Sequence, residues 1–162
     1  MFPTSEVPKK LSASWLCTAL MRIGTRLATH FDQHFAEYGI TQAQFRVLLA
    51  IGDAEADGIA PSVLAEALLI ERATISVLTQ RLVERGLLRR LPGENRRTFN
   101  LALTDKGAAL LHQLVPAAIL LADDTLQGVT AAEQREMQKL LAVIERHLRE
   151  ATGPSAKGTT AE

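Results

Sequence analysis

Between Pro61 and Leu103 the apolar spacing switches from helical to alternating across a single glycine, and few folds accommodate that switch over so short a stretch. "PSVLAEAL" and "RATISVLTQRLVER" each carry apolar residues at helical spacing and are separated only by Leu69, Ile70 and Glu71. Pro61 suits a first helical turn, where its missing N–H is not needed, and Gly86 suits the left-handed residue that closes the second helix. From Leu87 the period becomes two. "LLRRL" and "TFNLAL", the latter with Phe99, Leu101 and Leu103 alternating, flank a polar link containing Pro92-Gly93, which predicts a β-hairpin. Two short helices in tandem running directly into a hairpin make a winged helix-turn-helix. That architecture places its second short helix in a DNA major groove and lets the hairpin tip reach the neighbouring backbone or minor groove.

The flanks are helical. Leu11, Trp15, Ala19, Ile23, Leu27, Phe31, Phe35 and Tyr38 recur every three or four residues, the stripe of a long amphipathic helix ending at Gly39. "TQAQF" reads as a capping box with Thr41 as N-cap, opening a helix, and "DAEADGIA" reads as a loop. Thr104 caps a long apolar helix expected to run to about Leu126 with a bend near Pro116. "TAAE" at Thr130–Glu133 is a second capping box, opening a last helix with Met137, Leu140, Leu141, Ile144 and Leu148 on one side. The predicted fold is mainly α with a small β-hairpin wing. A single domain is expected over 11–150, with a winged-helix DNA-binding lobe at 41–103 and dimerisation helices at 11–38 and 104–150; the N-terminus 1–10 is expected to be flexible, and the tail 151–162 disordered. The first and last helices carry apolar stripes too long for one winged helix to cover, which predicts an obligate homodimer.

Charge distribution bears on function more than total charge does. The formal net charge of the 162 residues is zero, yet from Arg72 to Arg97 seven arginines face only Glu84 and Glu94, a local balance of +5. A single cysteine forms no intrachain disulfide, the start "MFPTSEVPKK" lacks the apolar segment of a secretory signal, and no apolar run approaches the roughly 20 residues that cross a bilayer. A cytoplasmic protein without a membrane partner is expected. The chain has no Gly-rich phosphate loop, no Ser-His-Asp set and no specific metal motif, so neither enzymatic activity nor a cofactor is expected.

In "YGITQAQFRVLLAI", "LAEALLIERATISVLTQRLVERGLLRR" and "NRRTFNLALTDKG", in that order and spacing, the sequence resembles the MarR family of bacterial transcription regulators over most of residues 11 to 150. The resemblance implies a homodimer held by its first and last helices, with one winged helix per subunit. It also implies repression of genes from a pseudo-palindromic operator until a small molecule or an oxidant lowers DNA affinity. Asn95 stands where the family's wing usually carries aspartate, while the tip arginine, Arg97, is kept. Val77 and Gln80 stand where arginine and aspartate are common, and Leu69 where the helix-turn-helix often has glycine.

The candidate DNA-binding residues are Arg72, Thr74, Ser76, Val77, Gln80 and Arg81 on the second short helix and Asn95, Arg96 and Arg97 on the wing. Hydroxyls there can bond phosphates or base edges, an arginine can fork onto guanine, and a valine can meet a thymine methyl. Arg81 has a structural alternative, pairing with an acid such as Glu84. Trp15, Met21, Arg22, Phe45 and Arg46 lie on the two helices that border a cleft in relatives, where aromatic rings and an arginine would hold a small aromatic or phenolic effector. Cys17 sits at the spacing used by the hydroperoxide-sensing branch of the family. The positions that hold tyrosines there carry Met21, Phe31 and Gln42, so a buried, inert side chain is expected. His30 and His34 are one turn apart, with Asp32, Glu37 and His112 as conceivable additions, but no third ligand at fixed spacing completes a metal site. The rival reading is a winged helix that binds protein rather than DNA.

Overall fold

The computed structural model describes residues 12–54, 56–93, 95 and 97–152. Helix α1 (Ser12–Phe35) tightens into one 3-10 turn, Ala36–Tyr38, and stops at Gly39, whose φ of 65° lies in the left-handed region that glycine occupies at little cost. Helix α2 (Gln42–Gly52) opens with the expected capping box: Thr41 Oγ1 accepts from the Gln44 N–H at 3.2 Å while Gln44 Oε1 accepts from the Thr41 N–H at 3.1 Å. Asp32 adds a third contact, accepting from the Gln42 N–H at 2.6 Å, so that carboxylate is engaged as a helix cap.

Helices α3 (Pro61–Leu68) and α4 (Arg72–Glu84) form the helix-turn-helix. Between them Leu69 takes φ 54°, the sole described non-glycine residue at positive φ, a conformation that costs an L-residue about 1–2 kcal/mol. The hairpin follows: β1 (Leu88–Pro92) pairs antiparallel with β2 (Phe99–Leu103), from Leu88 opposite Leu103 to Pro92 opposite Phe99. Pro92, expected in the link, is therefore the last strand residue, and the turn begins at Gly93, whose N–H donates to Thr98 O. A further correction concerns the segment read as a plain loop. Ile59 forms an isolated bridge with Leu101 through reciprocal bonds of 3.0 and 2.9 Å, adding one rung to the sheet. Gly58 permits the approach: at φ 73° a Cβ there would stand 2.5 Å from Leu101 O.

Helix α5 (Asp105–Thr125) continues through Pro116 and ends within a residue of the expected Leu126. Its start is locked to the hairpin. Thr104 Oγ1 donates to Gly86 O at 2.7 Å and accepts from the Gly107 N–H, and any Cβ on Gly107 would collide with Leu87 O. Helix α6 (Ala131–Thr152) opens with the second capping box, Thr130 with Glu133, and the Thr130 hydroxyl and N–H hold the Glu133 carboxyl below its ordinary pKa. It runs to Thr152, so Ala151 and Thr152, expected in a disordered tail, are helical. Residues 1–11 and 153–162 lie outside the described residues.

The core collects Phe35 from α1, Phe45, Val47, Leu48 and Ile51 from α2, Leu64 from α3, Ile75 and Leu82 from α4, Leu88 and Leu101 from the hairpin and Leu114 from α5. Most of these are fully or almost fully buried. The chain divides into two compact units, one through Leu121 and one from Ala122 that contains the end of α5 and all of α6. The first holds this core. In the second, every residue of α6 from Ala131 to Ala151 is exposed.

Candidate nucleic-acid interface

Helix α4 buries Ile75, Thr79 and Leu82 and thereby turns the rest of its circumference outward. Arg72, Thr74, Ser76, Val77, Gln80 and Arg81 are all exposed, so the structure brings the six helix candidates together on one solvent-facing surface. Val77 is the apolar member, 53% exposed, and Ala73 lies one turn before it, also exposed. Sequence reasoning passed over Ala73; its i, i+4 relation to Val77 was the available signal. The N-cap residue, Glu71, makes no side-chain capping bond, so its side chain satisfies none of the first N–H groups of α4.

The arginines of the basic cluster divide into two groups. Arg85 bonds Gly39 O and Tyr38 O, fastening the end of α4 to the turn after α1, and Lys106 Nζ in turn donates to Arg85 O. Arg89 Nε donates to Leu103 O across the hairpin, and Arg90 donates to Gln80 Oε1 at 2.7 Å while its guanidinium carbon stands 4.6 Å from the Phe99 ring centroid. These three are tied to the fold. Arg72 makes an ion pair with Glu66 at 3.5 Å, but both side chains are about three-quarters exposed and such a pair contributes about 0–1 kcal/mol, so it leaves for a phosphate at little cost. Arg81 does not take its structural alternative: among the described residues no ion pair joins it to Glu84, which instead accepts from Gln80 Nε2 at 2.8 Å. Gln80, placed among the base-contact candidates, is thus engaged at both ends of its amide.

At the wing tip, Asn95 Oδ1 accepts from the Arg97 N–H at 3.0 Å, and Thr98 bonds Asn95 through both its N–H and its hydroxyl. The amide standing in the family's aspartate position thus fixes the backbone that carries Arg97, an Asx-type turn. Arg97 is exposed. Arg96 lies outside the described residues.

Of the five ligand candidates, the structure gathers two. Phe45 and Arg46 line a cleft of about 340 Å³ with Phe31, Gln42, Leu27 and Gly24, whereas Trp15, Met21 and Arg22 are exposed on α1 and do not line it. On the first half of α1 Ala19 is buried, but Trp15 and Met21 are 48% and 67% exposed. Arg46 also donates to Leu68 O at 2.9 Å, reaching from α2 to the turn before α4. A second cleft, of about 470 Å³, has Asp53 and His112 on a wall made by Leu49, Leu111 and Val115. Cys17, expected to be buried, is exposed, like Trp15 and Met21. The His30 and His34 rings stand 6.4 Å apart, and among the described residues no group of three metal-ligating side chains occurs.

A sequence model of the MarR family matches residues 38–98. The HTH-type transcriptional regulator PecS of Dickeya dadantii is 31% identical over 131 residues, which cover 80% of this chain and 79% of PecS. The chain belongs to the MarR family. It is a DNA-binding transcription regulator with a winged helix, and not an enzyme. Solved MarR family structures share its fold. AbsC of Streptomyces coelicolor superposes with a TM-score of 0.78 at 21% identity, covering 91% of this chain and 99% of AbsC. A mutant MarR from E. coli, complexed with operator DNA, superposes with a TM-score of 0.75 at 24% identity, covering 85% and 99%. Among the described residues no helix is long and apolar enough to cross a membrane.

Proposed function

We propose that the chain works as a cytoplasmic homodimer that occupies a pseudo-palindromic DNA operator and represses transcription until a small aromatic or phenolic effector lowers its affinity. The observation that carries this reading is the outward surface of α4, where Thr74, Ser76, Val77 and Arg81 are exposed, together with an exposed Arg97 on a wing tip whose backbone is held by Asn95. Arg72, Thr74 and Ser76 meet phosphates or base edges, Val77 meets a thymine methyl, and Arg96 and Arg97 meet the neighbouring backbone or a narrow minor groove. The operator complex of the MarR relative supports this assignment because its subunit has the same fold.

Dimerisation is supported by the exposed stripes on α1 and α6. Trp15, Leu16, Leu20 and Ile23 on the first and Met137, Leu140, Leu141 and Ile144 on the second are each 37% exposed or more, a pattern that soluble chains cover with a second copy. The cleft supports an aromatic, anionic effector, since Phe31, Phe45 and Arg46 all line it. Selection of duplexes from a random-sequence pool by the purified protein, followed by salt titration, tests the reading. A recovered inverted repeat whose binding weakens steeply with salt is expected. Failure to enrich any duplex, or retention independent of salt, would instead favour a protein partner.

A further inference from the structure

Resting on that DNA-binding reading, we propose that Gln80 and Arg90 are positioning residues whose hydrogen bond fixes the spacing between α4 and the wing, and that Gln80 reads no base. A glutamine recognises adenine by presenting its carbonyl oxygen and its amino group to the base together. Both ends of Gln80 are already used. Oε1 accepts from the Arg90 guanidinium at 2.7 Å and Nε2 donates to Glu84 Oε1 at 2.8 Å. The reversed amide would set a donor against a guanidinium and an acceptor against a carboxylate, so the two neighbours dictate one orientation.

Arg90 is held from three sides. Its backbone belongs to β1 opposite Leu101, its guanidinium lies over the Phe99 ring of β2, and its donor reaches α4. Phe99 pairs with Pro92 in the last rung before the tip that carries Arg97, so the link meets the hairpin at its outer end. Among the described residues it is the one side-chain hydrogen bond between α4 and either strand. A two-stranded hairpin is marginal alone, and this link holds its outer half in register with α4. Helix and wing must meet one DNA duplex together, so loosening the link costs affinity without removing any DNA contact.

The charge-neutral exchange Q80E/E84Q separates the two roles. Glutamate at 80 still accepts from Arg90, and glutamine at 84 donates back to it, so the link survives; a carboxylate cannot donate to adenine N7, so base reading would not. The probe is a duplex selected by the wild-type protein, with a random duplex beside it and thermal melting as the control for folding. Gln80→Ala is expected to weaken binding about fivefold on both duplexes, the scale of one net hydrogen bond, and to add nothing in an Arg90→Ala background. It should also reduce the cost of a further Arg97→Ala change, because a loosened wing engages Arg97 less often. Q80E/E84Q should restore most of the loss. An exchange as weak as Gln80→Ala, a Gln80→Ala penalty confined to the selected duplex, or no penalty at all would overturn the proposal while leaving DNA binding intact. Failure of the wild-type protein to select any duplex would overturn the DNA-binding reading and the positioning role with it.

Discussion

The winged-helix lobe and the long helices differ in how far each satisfies itself. In the lobe, Leu64, Ile75 and Leu82 are fully buried, and α2, α3, α4, the hairpin and the start of α5 each send side chains into one core. Along the first half of α1, Trp15 is 48% exposed and Met21 67%, and on α6 Leu140 is 57% exposed, although their spacing is as regular as anything in the lobe. Periodicity shows which face of a helix is apolar. What covers that face is decided elsewhere, by the same chain in the lobe and, in the proposed assembly, by a second copy at the stripes.

The largest effect should come from breaking the stripes. Leu141→Glu with Ile144→Glu places two charges on the apolar side of α6, and sedimentation should then show a species near 17.6 kDa. Operator affinity should fall more than about 100-fold, since each winged helix then binds without a tethered partner. A dimer that survives both glutamates would break the comparison. Next is Leu82→Ala, which empties a fully buried site in the lobe and should cost about 2–5 kcal/mol at any protein concentration. Leu141→Ala should instead destabilise progressively on dilution, because its contacts in the proposed dimer are intermolecular. Identical concentration dependence for the two would erase the distinction between regions.

Within the lobe the effects become smaller and more specific. Ser76→Ala should cost roughly 1–3 kcal/mol on the selected operator and little on random DNA if its hydroxyl meets a base edge, as competition binding would show. Arg97→Ala should weaken both DNAs alike and lower the slope of log K against log salt by about one unit per subunit. Smallest is Leu69→Gly. The turn before α4 holds leucine at φ 54°, and glycine relieves that strain while adding entropy to the unfolded chain, so a net gain below about 1 kcal/mol is expected in thermal melting. A loss would mean that the leucine side chain, though 70% exposed, contributes packing that outweighs the strain.

Features set by neighbours in sequence were legible. The capping boxes at Thr41 and Thr130, the stop at Gly39, Pro61 at the start of α3 and the left-handed Gly86 all follow from contacts within one helical turn. Features set by distant partners were not. The bridge between Ile59 and Leu101 needs Gly58 to let two segments approach, and nothing in "DAEADGIA" names the partner. The basic cluster was legible as charge but not as geometry: Arg85, Arg89 and Arg90 are engaged by carbonyls and an amide that only the fold brings within reach. Gln80 stands outward on α4 like the base-reading candidates; Glu84, one turn later, takes the amino end of its amide, while the partner of its oxygen lies on a strand ten residues later that only the fold brings within reach. Cys17 is exposed although the absence of neighbouring tyrosines pointed to an inert, buried side chain: missing sensor partners say nothing about what covers a residue, and Cys17 shares the exposed first half of α1 with Trp15.

The most direct test of this account is the mass of the protein–DNA complex. Sedimentation of a selected duplex with increasing protein should pass from free DNA to a complex containing two 17.6 kDa chains, with no intermediate carrying one. A stable complex of one chain per duplex, formed with the same affinity, would contradict the claim that the lobe reads DNA only as a pair joined through its uncovered helices.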